Sequence, residues 1–268
     1  MTSLNDFRGQ NVVITGGTKG LGLATARRFA KAGANLFLLY RSDHAVASAA
    51  QAELRDLGVR CEIFACDLTQ PNSAKVITQF LESKKIAVLH HFIFNAAATA
   101  FKPLLQIEHH HFLKTFHLSV WGLLNLCKEL TPLMMAGSTI ITISGMDTVQ
   151  VVPGHGLLAA AKAAVEELTI YLAHELGPKG IRVNGVNPGF LETESTRIMM
   201  GELFAQVADG YRQGTLRAKP LDLDLVAATV LFLASPAAGL IAGQTLIVDD
   251  GFAQRLSVPT STNPTPPN

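Results

Sequence analysis

Cysteine is scarce in this chain, with only Cys61, Cys66 and Cys127. An odd number without metal-ligand spacing argues against a disulfide framework and fits a reducing compartment. Charge imbalance is missing too: 22 Lys and Arg face 21 Asp and Glu, for a net charge of +1. That leaves no electrostatic footprint for nucleic acid or an anionic membrane surface. No apolar run approaches the roughly 18 residues of a membrane span, and MTSLNDFRG does not read as a signal peptide. The expectation is a cytoplasmic protein that meets neither nucleic acid nor membrane. Metal motifs are also lacking. His90-His91 and His109-His110-His111 are runs of adjacent rings that point apart, with no HExxH or carboxylate spacing beside them. They read as a strand start and a solvated helix start, so no metal is expected.

What is present is apolar: 48% of 268 residues are hydrophobic and the mean hydropathy is positive. A core of that size suits one α/β domain whose sheet is covered on both faces. The most informative stretch is NVVITGGTKGLG, residues 11–22. Val12, Val13 and Ile14 read as a buried strand ending at Thr15. Gly16, Gly20 and Gly22 follow before Leu23-Ala24-Thr25-Ala26 opens a helix. Glycine there permits a tight turn and lets a pyrophosphate approach the main chain. The helix start turns free N–H groups and a positive dipole end toward that phosphate. Between strand and helix, in the first β-α unit, the pattern predicts dinucleotide binding.

Strand-like and helix-like segments then alternate without a break. Strands are expected at 11–15, 35–40, 60–66, 90–95, 139–144, 181–187 and 245–249. Helices are expected at 20–32, 43–57, 71–83, 107–135, 157–176 and 222–234. This predicts a Rossmann-type, doubly wound parallel α/β sheet of about seven strands with helices on both faces. One domain is expected over 1–252. Residues 253–268 form a tail whose end, SVPTSTNPTPPN, is Pro/Thr-rich, lacks apolar periodicity and reads as disordered.

Several motifs fall in one order: TGGTKGLG (15–22), CDLT (66–69), FNAAA (94–98), ISG (143–145), Lys162 on a helix, NPGFLET (187–193) and GQTLIVDDG (243–251). The chain thereby resembles the short-chain dehydrogenase/reductase family over about residues 8–252, most of all its bacterial 3-ketoacyl and enoyl-acyl-carrier-protein reductases. The resemblance implies roles. Gly16, Thr18, Lys19, Gly20, Leu21 and Gly22 would cradle the nucleotide. Asp67, with Leu68, would meet the adenine, and Asn95, with Ala96, its ribose. Pro188, Gly189, Leu191 and Thr193 would line the nicotinamide end, and Lys162 would hold the nicotinamide ribose. For Asp67 a capping role, and for Asn95 a structural turn, are the plain alternatives. The phosphorylated cofactor is favoured on separate grounds. NAD-binding relatives of this architecture end their second strand in Asp or Glu. Here it ends Tyr40-Arg41-Ser42, with no carboxylate. Arg41 offers a donor fork to a 2′-phosphate and Lys19 a second cation, so the expected cofactor is NADP(H).

The family's catalytic signature breaks down. Counting back from Lys162, its Tyr position is Leu158 and its Ser position is Gly145; a nearby Asn position is Ser119. General acid catalysis contributes roughly 10²–10⁴ and one oxyanion donor roughly 10²–10³, so carbonyl reduction needs a substitute. His155, which falls on the enoyl-reductase Tyr spacing, is the first candidate, because imidazole transfers protons near neutral pH. Ser144 and Asp147 are the others. The catalytic expectation is therefore Lys162, His155 and Ser144. The segment 196–207 places Ile198, Met199, Leu203, Phe204 and Val207 at helical spacing. The family resemblance makes it a lid over a greasy acyl or polyketide-like substrate, small or carrier-bound. Trp121, Leu124 and Lys128 lie on the helix that pairs subunits in relatives, which implies a homo-oligomer, dimer or tetramer. Two alternatives stay open: a non-redox isomerase, dehydratase or cyclase that keeps NADP(H), and a non-catalytic subunit of a hetero-oligomer with an intact reductase.

Overall fold

A computed structural model of the chain describes residues 6–254. Seven strands form one sheet: β1 Asn11–Thr15, β2 Asn35–Tyr40, β3 Cys61–Ala65, β4 Leu89–Phe94, β5 Met134–Ile143, β6 Arg182–Pro188 and β7 Thr245–Val248. All pairings are parallel, in the order β3-β2-β1-β4-β5-β6-β7. The chain direction across the sheet reverses between β1 and β4. At such a switch point the connections leave the carboxyl ends in opposite directions and open a crevice.

The helices are α1 Gly20–Lys31, α2 His44–Asp56, α3 Ser73–Ser83, α4 His109–Phe116, α5 Gly122–Leu130, α6 Gly156–Leu176, α7 Glu194–Met200, α8 Phe204–Gly214 and α9 Leu223–Ala234. Side chains alternate across a strand, so each strand feeds two cores. Val12, Ile14, Leu36 and Leu38 pack with Phe29 of α1 and Val226 and Val230 of α9. Val13, Phe37 and Leu39 face the other way, toward Ile77 of α3, Leu126 of α5 and Val165 of α6. Each of these is 0–1% exposed and contributes about 1.5–3 kcal/mol of burial. This double coverage is why β1 and β2 read as unbroken apolar runs. An Arg28–Asp224 ion pair also ties α1 to α9.

Three expectations about the elements are corrected. The helix expected over 107–135 is interrupted: a π turn at His117–Trp121 separates α4 from α5, and a 3₁₀ turn at Thr131–Leu133, carrying Pro132, ends it. Proline has no N–H to continue the ladder. β5 starts at Met134 rather than 139, and its register against β4 slips between Leu89 and His91. The Ser138 hydroxyl holds that irregularity, donating to the Leu89 carbonyl and accepting from the Met135 N–H. The segment 196–207 is two helices, because Gly201 (φ +54) breaks it. The buried face becomes Met200, Phe204, Ala208 and Tyr211, while Ile198 and Leu203 face solvent.

His91 is more than a strand start. It is buried beside Phe7 and Phe29, its ring nitrogens bonded to Thr139 and Gln10. Burial pushes its pKa down to about 3. At the carboxyl end, Phe252–Gln254 form a 3₁₀ turn, and the Ala253 N–H donates to Asp249. The remainder of the expected tail, 255–268, lies outside the described residues. No helix among the described residues is long and apolar enough to cross a membrane.

Candidate active site

A groove of about 840 Å³ runs along the carboxyl ends of the strands. Gly16, Thr18, Lys19, Gly20, Leu21, Arg41, Ser42, Asp67, Leu68, Asn95, Ala96, Lys162, Pro188, Leu191 and Thr193 line it. Gly22 lies outside this lining, and Gly189 lines the smaller adjoining cavity. A Cβ on Gly22 would lie 2.1 Å from the Gly16 carbonyl oxygen, so only glycine lets α1 start this close to the loop. Lys19, the N-cap of α1, makes no side-chain capping bond. The first N–H groups of the helix therefore remain available to a pyrophosphate. Asn95 fixes the other side of the loop: its amide donates to the Thr15 and Gly16 carbonyls at 3.1 and 3.2 Å. The Thr15 hydroxyl accepts from the Asn95 and Ala96 N–H groups.

Just after β3, the Thr69 backbone N–H and hydroxyl hold the Asp67 carboxyl below the usual carboxylate range. Asp67 thus caps its own turn while facing the groove. Arg41 and Lys19 are both exposed at the groove. The one carboxylate close to them in sequence, Asp43, is turned to cap α2 through the Val46 N–H. A phosphate on the adenine ribose would therefore meet two cations, which fits the phosphorylated nucleotide.

Lys162 projects from α6 to the middle of the groove. Its Nζ is buried and donates to the Ile143 carbonyl at 2.5 Å. Burial brings its pKa down to about 8, against the opposing pull of Asp147 and Glu166. One turn further along α6, Glu166 Oε1 accepts from Ser144 at 2.5 Å, Thr148 at 2.9 Å and Asn187 at 2.8 Å. The Ser144 hydroxyl lines the groove, and its proton is directed at Glu166. Ser119 sits in the π turn, fully buried, and its Oγ has no partner.

A smaller cavity of about 240 Å³ meets the groove at Ser144, Leu158, Pro188 and Leu191, which line both. Met146, Val152, Phe190, Met199 and Met200 make most of its wall apolar. Its only titratable lining residues are Asp147 and His155. His155 Nδ1 lies 3.3 Å from Asp147 Oδ2. Phe101 packs edge-on against the imidazole, with ring centroids 5.1 Å apart. His155 Nε2 is buried and has no hydrogen-bond partner. At the start of α4, Glu108, His110 and His111 bring ligand-type atoms within 4.8 Å of one another. His111 Nδ1 there accepts the Glu108 N–H.

Comparison with known proteins gives these features a family. A family model described as Enoyl-(Acyl carrier protein) reductase matches residues 16–253. The chain belongs to the short-chain dehydrogenase/reductase family. It is 29% identical to 1-cyclohexenylcarbonyl-CoA reductase of Streptomyces collinus, over 92% of this chain and 88% of that one. It is 30% identical to the 3-oxoacyl-[acyl-carrier-protein] reductase FabG of Chlamydia muridarum, over 90% and 96%. A solved short chain dehydrogenase from Burkholderia cenocepacia, in complex with NADP, superposes with a TM-score of 0.84 at 27% identity, covering 92% of this chain and 98% of that one.

Within a short-chain dehydrogenase/reductase frame, the sequence leaves two things unsaid. The Glu166 network is invisible to motif reading, since its donors lie 18–22 residues away. Phe101 follows the last recognisable motif of β4 and carries no signal of its own. The spacing of Leu158 before Lys162 was the one cue that this residue would sit where cavity and groove join.

Proposed function

We propose that the chain is an NADP(H)-dependent reductase of an apolar acyl or polyketide-like substrate, acting on its carbonyl or its conjugated double bond. A nicotinamide nucleotide, when bound, supplies hydride to carbon. The chain supplies the rest. Lys19, Arg41 and the start of α1 hold phosphate, and Lys162 holds the ribose from the floor of the groove. Met146, Met199, Met200 and Phe190 exclude water from the acyl group, methionine adapting to irregular shapes. The proton comes from His155.

The observation that carries this reading is the meeting of the two cavities at Leu158, with an unpartnered imidazole nitrogen on the substrate side. Enoyl reduction fits the site better than ketone reduction. Hydride goes to the β-carbon, and the enolate that forms needs a proton only afterwards, so a donor displaced from the usual Tyr position still serves. Exposed Trp121 beside the start of α5 supports self-association into a homo-oligomer. The test mixes NADPH and the protein with crotonyl- and acetoacetyl-thioesters and follows absorbance of the reduced nucleotide. Oxidation is expected with the crotonyl thioester first. Nucleotide binding without turnover across the panel would overturn the reductase reading.

A further inference from the structure

The family's serine position is empty of side chain, and another group has taken its volume. A Cβ built on Gly145 would lie 2.8 Å from Asp147 Oδ1. The backbone there is extended, with φ −170, so conformation does not require glycine; space does. We propose that Asp147 is the positioning residue of a carboxylate–imidazole pair, admitted by Gly145, that orients His155 so that Nε2 faces the substrate. The inference rests on the reading of His155 as the proton donor.

Both partners are 8–9% exposed, and each has one buried polar atom without a partner. Asp147 Oδ2 and His155 Nε2 have no hydrogen-bond partner, and the 3.3 Å approach of Nδ1 to Oδ2 is a charge-pair contact short of a hydrogen bond. Buried polar atoms are rarely left so without a function. The carboxylate also answers an electrostatic need. His155 is the N-cap residue of α6, where the positive end of a 21-residue helix disfavours an imidazolium. Asp147 opposes that field. Among the elements around the ring, the 3₁₀ turn contributes Asp147 and α6 contributes Lys162 and Glu166. The segments 97–101 and 188–200 contribute no charged residue to the cavity wall. Glu166 is occupied by Ser144, Thr148 and Asn187, which leaves Asp147 as the counter-ion.

The proton step balances without further reagents. The Nε2–H bond of the imidazolium breaks, and the proton passes to the enolate carbon or oxygen. The Nδ1–H bond, facing Asp147, stays intact, and solvent returns the proton to Nε2 after product leaves.

The test is ¹⁵N NMR of histidine-labelled full-length protein, with His155 assigned through His155→Gln. Neutral His155 in the wild type is expected as the Nδ1–H tautomer. In Asp147→Asn the neutral ring moves toward the Nε2–H tautomer, because the anionic acceptor facing Nδ1 is removed. Gly145→Ala, which pushes the carboxylate aside with both partners intact, moves the ring the same way. A ring whose tautomer matches the wild type in both variants overturns the proposal. In parallel, Asp147→Asn lowers kcat for thioester reduction and leaves KM unchanged. The two readings separate cleanly. An NMR shift with no turnover in the wild type sinks the reductase and keeps the pair, and turnover with no NMR shift does the reverse.

Discussion

Replacing Lys162 with methionine, of similar length and without charge, makes stability depend on pH in a calculable way. Burial holds the ammonium near 8 against its ordinary 10.5, a difference of about 3 kcal/mol at 1.36 kcal/mol per pH unit. The sign follows from proton counts. Between pH 8 and 10.5 the unfolded chain binds a proton that the native state has released, so stability rises with pH across that window. Below pH 8 the native state carries the full cost, and above 10.5 none of it. Lys162→Met removes the cost at every pH, but it also leaves the Ile143 carbonyl without its donor, a loss of about 1–3 kcal/mol that does not vary with pH. The absolute change at pH 7 is thus small. The informative quantity is the difference between variant and wild type, measured by guanidinium unfolding at several pH values. That difference is expected to shift by about 2 kcal/mol in favour of the wild type between pH 7 and pH 10. Cys61, Cys66 and Cys127, whose thiols burial raises to about 12, 11 and 12, weaken both proteins equally at high pH and cancel. A difference flat to within about 1 kcal/mol would refute a buried, proton-poor lysine.

Three further outcomes are expected. Gly22→Ala drives a methyl group against the Gly16 carbonyl; it should lower stability by about 1–3 kcal/mol and weaken NADPH binding in calorimetry, and unchanged affinity would show that the loop adapts. Arg41→Asp removes a donor fork at the groove and should reduce preference for NADPH over NADH by about 10- to 100-fold in paired titrations; an unchanged ratio would reduce Arg41 to a surface charge. Glu166→Ala strips the acceptor from Ser144, Thr148 and Asn187 and should cost about 3 kcal/mol in urea unfolding, with Glu166→Gln costing less because one acceptor oxygen remains.

The parts of this molecule legible from sequence are those where local chemistry and tertiary demand coincide. β1, α1 and the glycine loop announce themselves because a two-sided sheet needs an apolar run and the turn needs glycine. The helix over 107–135 misled because a π turn adds a residue to the ladder without any breaking residue to mark it, and because Ser138 starts a strand irregularity through a tertiary bond. Segment 196–207 has the right period for one helix, and only Gly201 divides it. In the site, Leu158 and Gly145 stood out as absences. That the vacated space is filled by Asp147, and that Glu166 gathers three donors, depends on chain segments meeting in three dimensions.

In the proposed reduction, a hydrocarbon at Leu158, on the seam between groove and cavity, would separate hydride from proton. His155 precedes it by three positions, about 4.5 Å along a helix axis, so a proton supplied there arrives off to one side of the carbon nearest the nicotinamide end. Molecules whose electron-accepting carbon and basic atom are several bonds apart suit that offset, whereas those that concentrate both on a single C=O do not.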